Sequence, residues 1–169
     1  MIYPIVKLGD PVLETPAQAV TVFNKELQQL VADMFESMYA AQGVGLAAPQ
    51  IGVSKRVAVV DVTFKEDPKA RIVLVNPEII RQEGKQVGNE GCLSIPEFRE
   101  PVKRAERVTV RAQDEFGVWQ EHSGEQLLAR AFLHETDHLS GKLYISHLSA
   151  LKRDLIKRKV RKLTKAGLW

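Results

Sequence analysis

Ala131 to Gly141 reads A-F-L-H-E-T-D-H-L-S-G and sets two histidines four residues apart, with a glutamate after the first. On an α-helix, His134 and His138 leave the same face, so two neutral imidazoles can grip one divalent metal ion. Glu135 points about 100° further round. A carboxylate there can reach a water on such a metal without being a ligand, take its proton and later return it to a leaving group. The surroundings predict a helix. Ser123 and Gln126 have the spacing of a capping box, Leu127, Leu128, Ala131 and Leu139 supply an apolar face, and Ser140-Gly141 offers a stop.

A catalytic zinc-type site takes three protein ligands and keeps one position open. Downstream the usual third ligand is missing: Tyr144 stands where an extended HExxHxxGxxH pattern would place its last His, and no Glu follows Glu135. His147 and Asp154 remain on paper, the latter in a very basic segment, so an ordinary helical metalloprotease is disfavoured. Upstream lies the single cysteine, Cys92, within Glu90-Gly91-Cys92-Leu93-Ser94, with Pro96 two residues after Ser94. A lone cysteine has burial, reactivity or metal binding open to it. Its Gly and Pro neighbours favour a shaped loop or strand edge, and Cys with two His would complete a site for zinc or ferrous iron.

Three segments together resemble the motifs of the peptide deformylases, in that family's order. They are Gly43-Val44-Gly45-Leu46-Ala47-Ala48-Pro49-Gln50, Glu90-Gly91-Cys92-Leu93-Ser94 and His134-Glu135-Thr136-Asp137-His138. The likeness runs from the Ile5 to Leu13 opening to the basic end. One departure is Leu133, where the family commonly has Gln, which leaves the ligands and the acid/base unaltered.

The resemblance implies removal of the formyl group from N-formylmethionine on nascent polypeptides. It implies a metal held by Cys92, His134 and His138, ferrous iron in the cell, with zinc, nickel or cobalt able to substitute. Glu135 would be the general acid/base, and the Gln50 side chain and Leu93 N–H would stabilise the oxyanion. Gly45 would hold the peptide as an added strand, Val44 and Leu127 would contact the methionine side chain, and Arg99 would lie beside the bound peptide. Glu90 and Gly91 complete the expected substrate-binding set. From residue type alone, Glu90 could bond a ligand or loop backbone, Val44 and Leu127 read as core, and Gly43 to Gln50 reads as a connection with small residues.

The elements that must position these groups follow from the rest of the chain. At 169 residues, 44 % hydrophobic and 27 % charged, the composition predicts one globular domain, residues 1–169. No apolar run approaches a membrane span of roughly 18 residues. The opening Met1 to Ile5 lacks the build of a signal peptide, and a thiolate ligand suits a reducing compartment, so a bacterial cytoplasm is expected. Asn24 to Gln42 predicts a helix capped by Asn24 and stopped by Gly43. Arg56 to Val62, Arg71 to Val75 and Arg107 to Gln113 predict strands, the second ending at Asn76-Pro77 with another beginning at Ile79, and Asp114 to Gly117 a hairpin turn. The order helix, strands, helix predicts an α+β fold. Antiparallel or mixed sheets surround a central HExxH helix, with an N-terminal helix and a basic helix and tail at 147–169.

Lys152 to Lys165 carries eight basic residues against Asp154, a net +7 that leaves the remainder at −4 in a chain of net +3. Leu148, Leu151, Leu155 and Ile156 predict its buried face. The charge suits contact with anionic RNA, and the resemblance implies docking on the ribosome. His147 is expected to be structural, and Asp137 to anchor the metal helix to a basic neighbour. A monomer is expected. Two other classes stay in view: a metallopeptidase, which lacks its downstream ligand here, and a non-catalytic ribosome- or RNA-binding module, which the tail alone supports.

Overall fold

The computed structural model describes all 169 residues. Helix α1, Lys25–Ala40, starts at Asn24, whose side chain accepts the Leu27 N–H. It buries Leu27, Val31, Met34, Phe35 and Met38 against one face of a sheet. Its end corrects the expected glycine stop. Gln42 takes the left-handed turn at φ +59°, while the Gly43 N–H reaches back to the Met38 carbonyl. Gly43 is small for another reason, since a Cβ there would lie 2.8 Å from Leu93 Cδ1.

That sheet has five antiparallel strands in the order β1 (Gly45–Ala47), β2 (Val57–Val60), β3 (Ile72–Glu83), β6 (Arg107–Gln113) and β7 (Trp119–Glu125). Strand β3 does not end at Asn76-Pro77. It bulges there, with Asn76 at φ +50°, and continues to Glu83. The Asn76 side chain stabilises the irregularity by bonding the Val20 N–H and C=O and the Gln113 side chain. A separate antiparallel hairpin joins β4 (Gln86–Cys92) to β5 (Ile95–Arg104), turning at Leu93-Ser94. Sequence reading missed it because Gly88, Gly91, Pro96 and Pro101 break any strand pattern.

Helix α2, Leu127–Leu139, lies across the other face of the sheet and buries Ala129, Phe132, Leu133 and Leu139 there. The expected capping box does not form. Ser123 belongs to β7 and pairs with the Thr109 hydroxyl at 2.8 Å. Gln126 at φ +53° begins the helix without a side-chain cap, and its carbonyl is taken by the Gln86 amide and the Arg130 N–H. The C-terminal stop is as expected, with Gly141 at φ +76°. Helix α3, Ala150–Lys165, is capped by Ser149. It buries Ile156 and Val160, whereas Leu151 and Leu155, expected inside, are 71 % and 46 % exposed. No helix is long and apolar enough to cross a membrane.

Candidate active site and metal centre

Three elements deliver the site. Helix α2 brings His134, Glu135 and His138, the end of β4 brings Cys92, and β1 with the turn Ala48–Ile51 brings Gly45 and Gln50. Cys92 Sγ lies 3.3 Å from His138 Nε2, which lies 3.1 Å from His134 Nε2. All three donor atoms fall within 4.8 Å of one another. Of the candidates for a third ligand, Cys92 is the one the structure brings beside the two histidines. His147 instead bonds Asp137 at 2.9 Å.

The donor set fits a divalent metal on two further observations. His134 gives its other ring nitrogen, Nδ1, to Glu90 Oε2 at 2.6 Å, which turns Nε2 toward Cys92 and His138. A thiolate with two imidazoles is the ligand chemistry of zinc, ferrous iron and similar ions.

Glu90 is held in turn by two arginines that sequence reading did not single out. Arg104 grips both its oxygens, at 3.0 and 2.6 Å, and Arg130 donates to Oε1 at 2.8 Å. Burial would raise the Glu90 carboxyl, yet hydrogen bonds from His134 and Arg104 hold it well below the usual carboxylate range. Both Glu90 oxygens are thus engaged by His134, Arg104 and Arg130. Arg104 also donates to Asp137 at 2.8 Å, tying β5 to α2, so Asp137 is the anchor expected of it. Neither arginine carries a local signal; both read as surface residues because their partner lies 14 or 40 positions away.

Glu135 is buried, and its Oε1 has no hydrogen-bond partner. Burial pushes its carboxyl up to about 7, against the opposing pull of His134. A Cβ at Gly45 would lie 2.5 Å from Glu135 Oε2, so only glycine at 45 leaves the carboxylate its place. The buried Gln50 amide is oriented at both ends. Its Oε1 accepts the Ala47 N–H at 3.0 Å, and its Nε2 donates to Ser94 Oγ at 3.1 Å and lies 3.6 Å from Cys92 Sγ. Ser94, part of the Glu90–Ser94 motif but with no role of its own expected there, thus positions the Gln50 amide.

These groups form the floor of a cleft of about 550 Å³. Val44, Gly45, Gln50, Gly91, Leu93, Arg99 and Leu127 all line it, as does Glu90. Leu127 is 50 % exposed, so it is a cleft residue and not core. Strand β1 pairs only with β2 and leaves its second edge open, the arrangement that accepts an extended peptide as an added strand.

A helix presenting His134, Glu135 and His138, completed by a cysteine sulfur and floored by a buried carboxyl group, defines an HExxH metal-dependent hydrolase. The polypeptide deformylase family model matches residues 2–154. The chain is 63 % identical over 169 residues to a peptide deformylase of Acidobacterium capsulatum, covering 100 % of this chain and 99 % of the relative. It is 54 % identical over 147 residues to one from Heliobacterium modesticaldum, covering 87 % and 94 %. A crystal structure of a peptide deformylase from Legionella pneumophila superposes with a TM-score of 0.91 at 47 % identity, covering 99 % and 98 % of the two chains. This chain belongs to the peptide deformylase family.

Proposed function

We propose that the protein hydrolyses the N-formyl group of formylmethionyl nascent polypeptides, releasing formate and a free amino terminus. The observation that carries this reading is the convergence of Cys92, His134 and His138 beside a buried carboxylate oxygen with no partner, at the base of a cleft open along a strand edge. A divalent ion held by those three residues would supply a Lewis acid for the formyl carbonyl and lower the pKa of an attacking water. The thiolate-imidazole donor set supports ferrous iron, with zinc, nickel or cobalt able to take its place.

Glu135 takes a proton from the water as its oxygen bonds to the formyl carbon. As the C–N bond breaks, Glu135 delivers that proton to the departing amine nitrogen. A carboxyl raised to about 7 by burial is suited to both halves of this transfer near neutral pH. The Gln50 amide and the Leu93 N–H donate to the carbonyl oxygen as it gains charge, without bringing a net charge of their own. The Gly45 backbone aligns the peptide along the β1 edge, Val44 and Leu127 receive the methionine side chain, and Gly91 and Arg99 border the chain that follows. Glu90 keeps His134 in its binding orientation.

Residues 1–169 form one catalytic domain, acting as a monomer in a bacterial cytoplasm. The basic α3 supports docking on ribosomal RNA near the emerging chain. The decisive test is formate release from a formyl-Met tripeptide, with protein purified without oxygen and loaded with ferrous iron or nickel. Glu135→Ala is expected to lower kcat by about 10³-fold or more with metal still bound. A folded, metal-loaded protein that releases no formate would sink the assignment.

A further inference from the structure

We propose that Trp169 is a positioning residue for peptide recognition, holding the Pro96–Phe98 bulge so that the cleft mouth meets the residues following formylmethionine. The proposal rests on the deformylase reading above. Strands β4 and β5 pair without interruption from Gln86↔Arg104 to Gly91↔Arg99, and the next pair is Cys92↔Ile95. Pro96, Glu97 and Phe98 are therefore left without ladder partners, a three-residue bulge directly beside a metal ligand. Glu97 sits within it at φ +72°, a left-handed conformation that a residue with a Cβ adopts only when its surroundings impose it. The bulge does not hold itself, so its shape must be imposed from outside.

Two contacts do so from behind. The Tyr144 hydroxyl donates to the Phe98 carbonyl at 3.3 Å, and the Trp169 indole meets the Phe98 ring edge-on, with centroids 6.3 Å apart. The indole is itself fixed. Its N–H donates to the Leu8 carbonyl at 2.9 Å, and the Leu8 N–H donates to the Ser94 carbonyl at 2.8 Å, in the turn of the same hairpin. Gly167, at φ +71°, turns the chain after α3, with the Leu168 N–H on the Leu163 carbonyl, so that residue 169 returns to the hairpin. On the front of the bulge, Glu97 and Arg99 are exposed while Gln50 and Glu135 lie buried on the floor. A peptide whose formyl group reaches the floor must leave past this rim.

The test compares kcat and KM for formyl-Met-Ala-Ser and for formylmethionine amide, which ends before the rim. Trp169→Ala is expected to raise KM for the tripeptide about fivefold, the scale of one aromatic edge-to-face contact. It should leave kcat on both substrates, and KM for the amide, within about twofold of wild type. Trp169→Phe, which keeps a ring against Phe98, should restore most of the tripeptide KM. Unchanged KM for both substrates, or a shared fall in kcat on both, would overturn the proposal. A second readout needs no turnover. In a metal-loaded Trp119→Phe, Glu135→Ala protein, Trp169 is the sole tryptophan, and its emission should shift with the tripeptide and not with the amide. No shift with the tripeptide overturns the proposal. Wild-type protein that releases formate from neither substrate overturns the deformylase reading itself.

Discussion

Helices α2 and α3 are both amphipathic, yet they handle charge in opposite ways. Helix α2 crosses the sheet with Arg130, Glu135 and His138 buried, each facing a particular partner or the reaction site. Helix α3 buries only Ile156 and Val160 and leaves most of its basic residues in solvent, with Lys152–Glu100 at 3.4 Å its one ion pair. A polar group removed from water must be satisfied by design, so substitutions around α2 leave an uncompensated charge or move a reacting atom. On α3 water already satisfies the charges, and substitutions act on what the helix meets.

The contrast is broken most severely by Glu90→Ala. Arg104 and Arg130 would keep their buried charges without their shared carboxylate. Such a loss costs about 3–5 kcal/mol. For a chain of this size, that lowers Tm by roughly 10 °C, measurable by thermal denaturation. A shift of one or two degrees would mean that the cluster is solvated and resembles α3 after all. Gly45→Ala comes next and separates activity from stability. The new methyl meets the far end of the Glu135 side chain, which can swing away, so Tm should barely change. The carboxylate would then stand off by about an ångström, and kcat/KM should fall about 100-fold. Equal activity would show that Glu135 has slack.

Acid extends the same comparison to the wall of the cleft. Asp61 is buried at the end of β2, where its N–H bonds the Val44 carbonyl and its carboxylate accepts from Tyr39 and Thr63. Burial opposes its ionisation, but the Tyr39 and Thr63 hydrogen bonds bring it down to about 2 from the usual 3.8. A depressed carboxylate contributes stability that is complete above the unfolded value and is lost as pH falls through the folded one. Wild-type Tm should therefore drop between about pH 4 and pH 2, and Asp61→Asn should start lower and flatten that segment. A parallel decline in the two proteins would remove Asp61 from the account.

How far these features could be read in the sequence follows the range of the interactions. The four-residue spacing of His134 and His138, the Asn24 cap, the Arg107–Gln113 strand and the Gly141 stop are local, and the structure has them where the pattern places them. Cys92 was legible because no other cysteine competes for the role. The β4–β5 hairpin was not, since its stability comes from pairing across the chain and its residues have poor strand propensity. The two arginines on Glu90 were equally silent. Nothing near Arg104 or Arg130 distinguishes them from the many solvated basic residues of this chain until the fold brings Glu90 between them. The false capping box at Ser123 shows the converse: a local signal yields when the strand pairing of β7 claims the same residue.

The smallest intrinsic effect belongs to α3, and it sharpens the comparison from the other side. Lys157, Arg158 and Arg161 make no ion pair, and they follow the exposed Leu155 along the helix. Reversing all three to Glu should change stability by less than about 0.5 kcal/mol per site and leave kcat on a free formyl tripeptide unaltered. If α3 docks on ribosomal RNA, the same variant should lose ribosome affinity at low salt. The wild-type dependence of log affinity on log salt should be steeper by about 2 to 3, the contribution of three phosphate contacts. Ribosome affinity that survives the reversal would make α3 a solvated helix whose role is to bring Trp169 back to the hairpin. Affinity lost with full activity would make α2 and α3 separable, one carrying the chemistry and the other delivering the substrate.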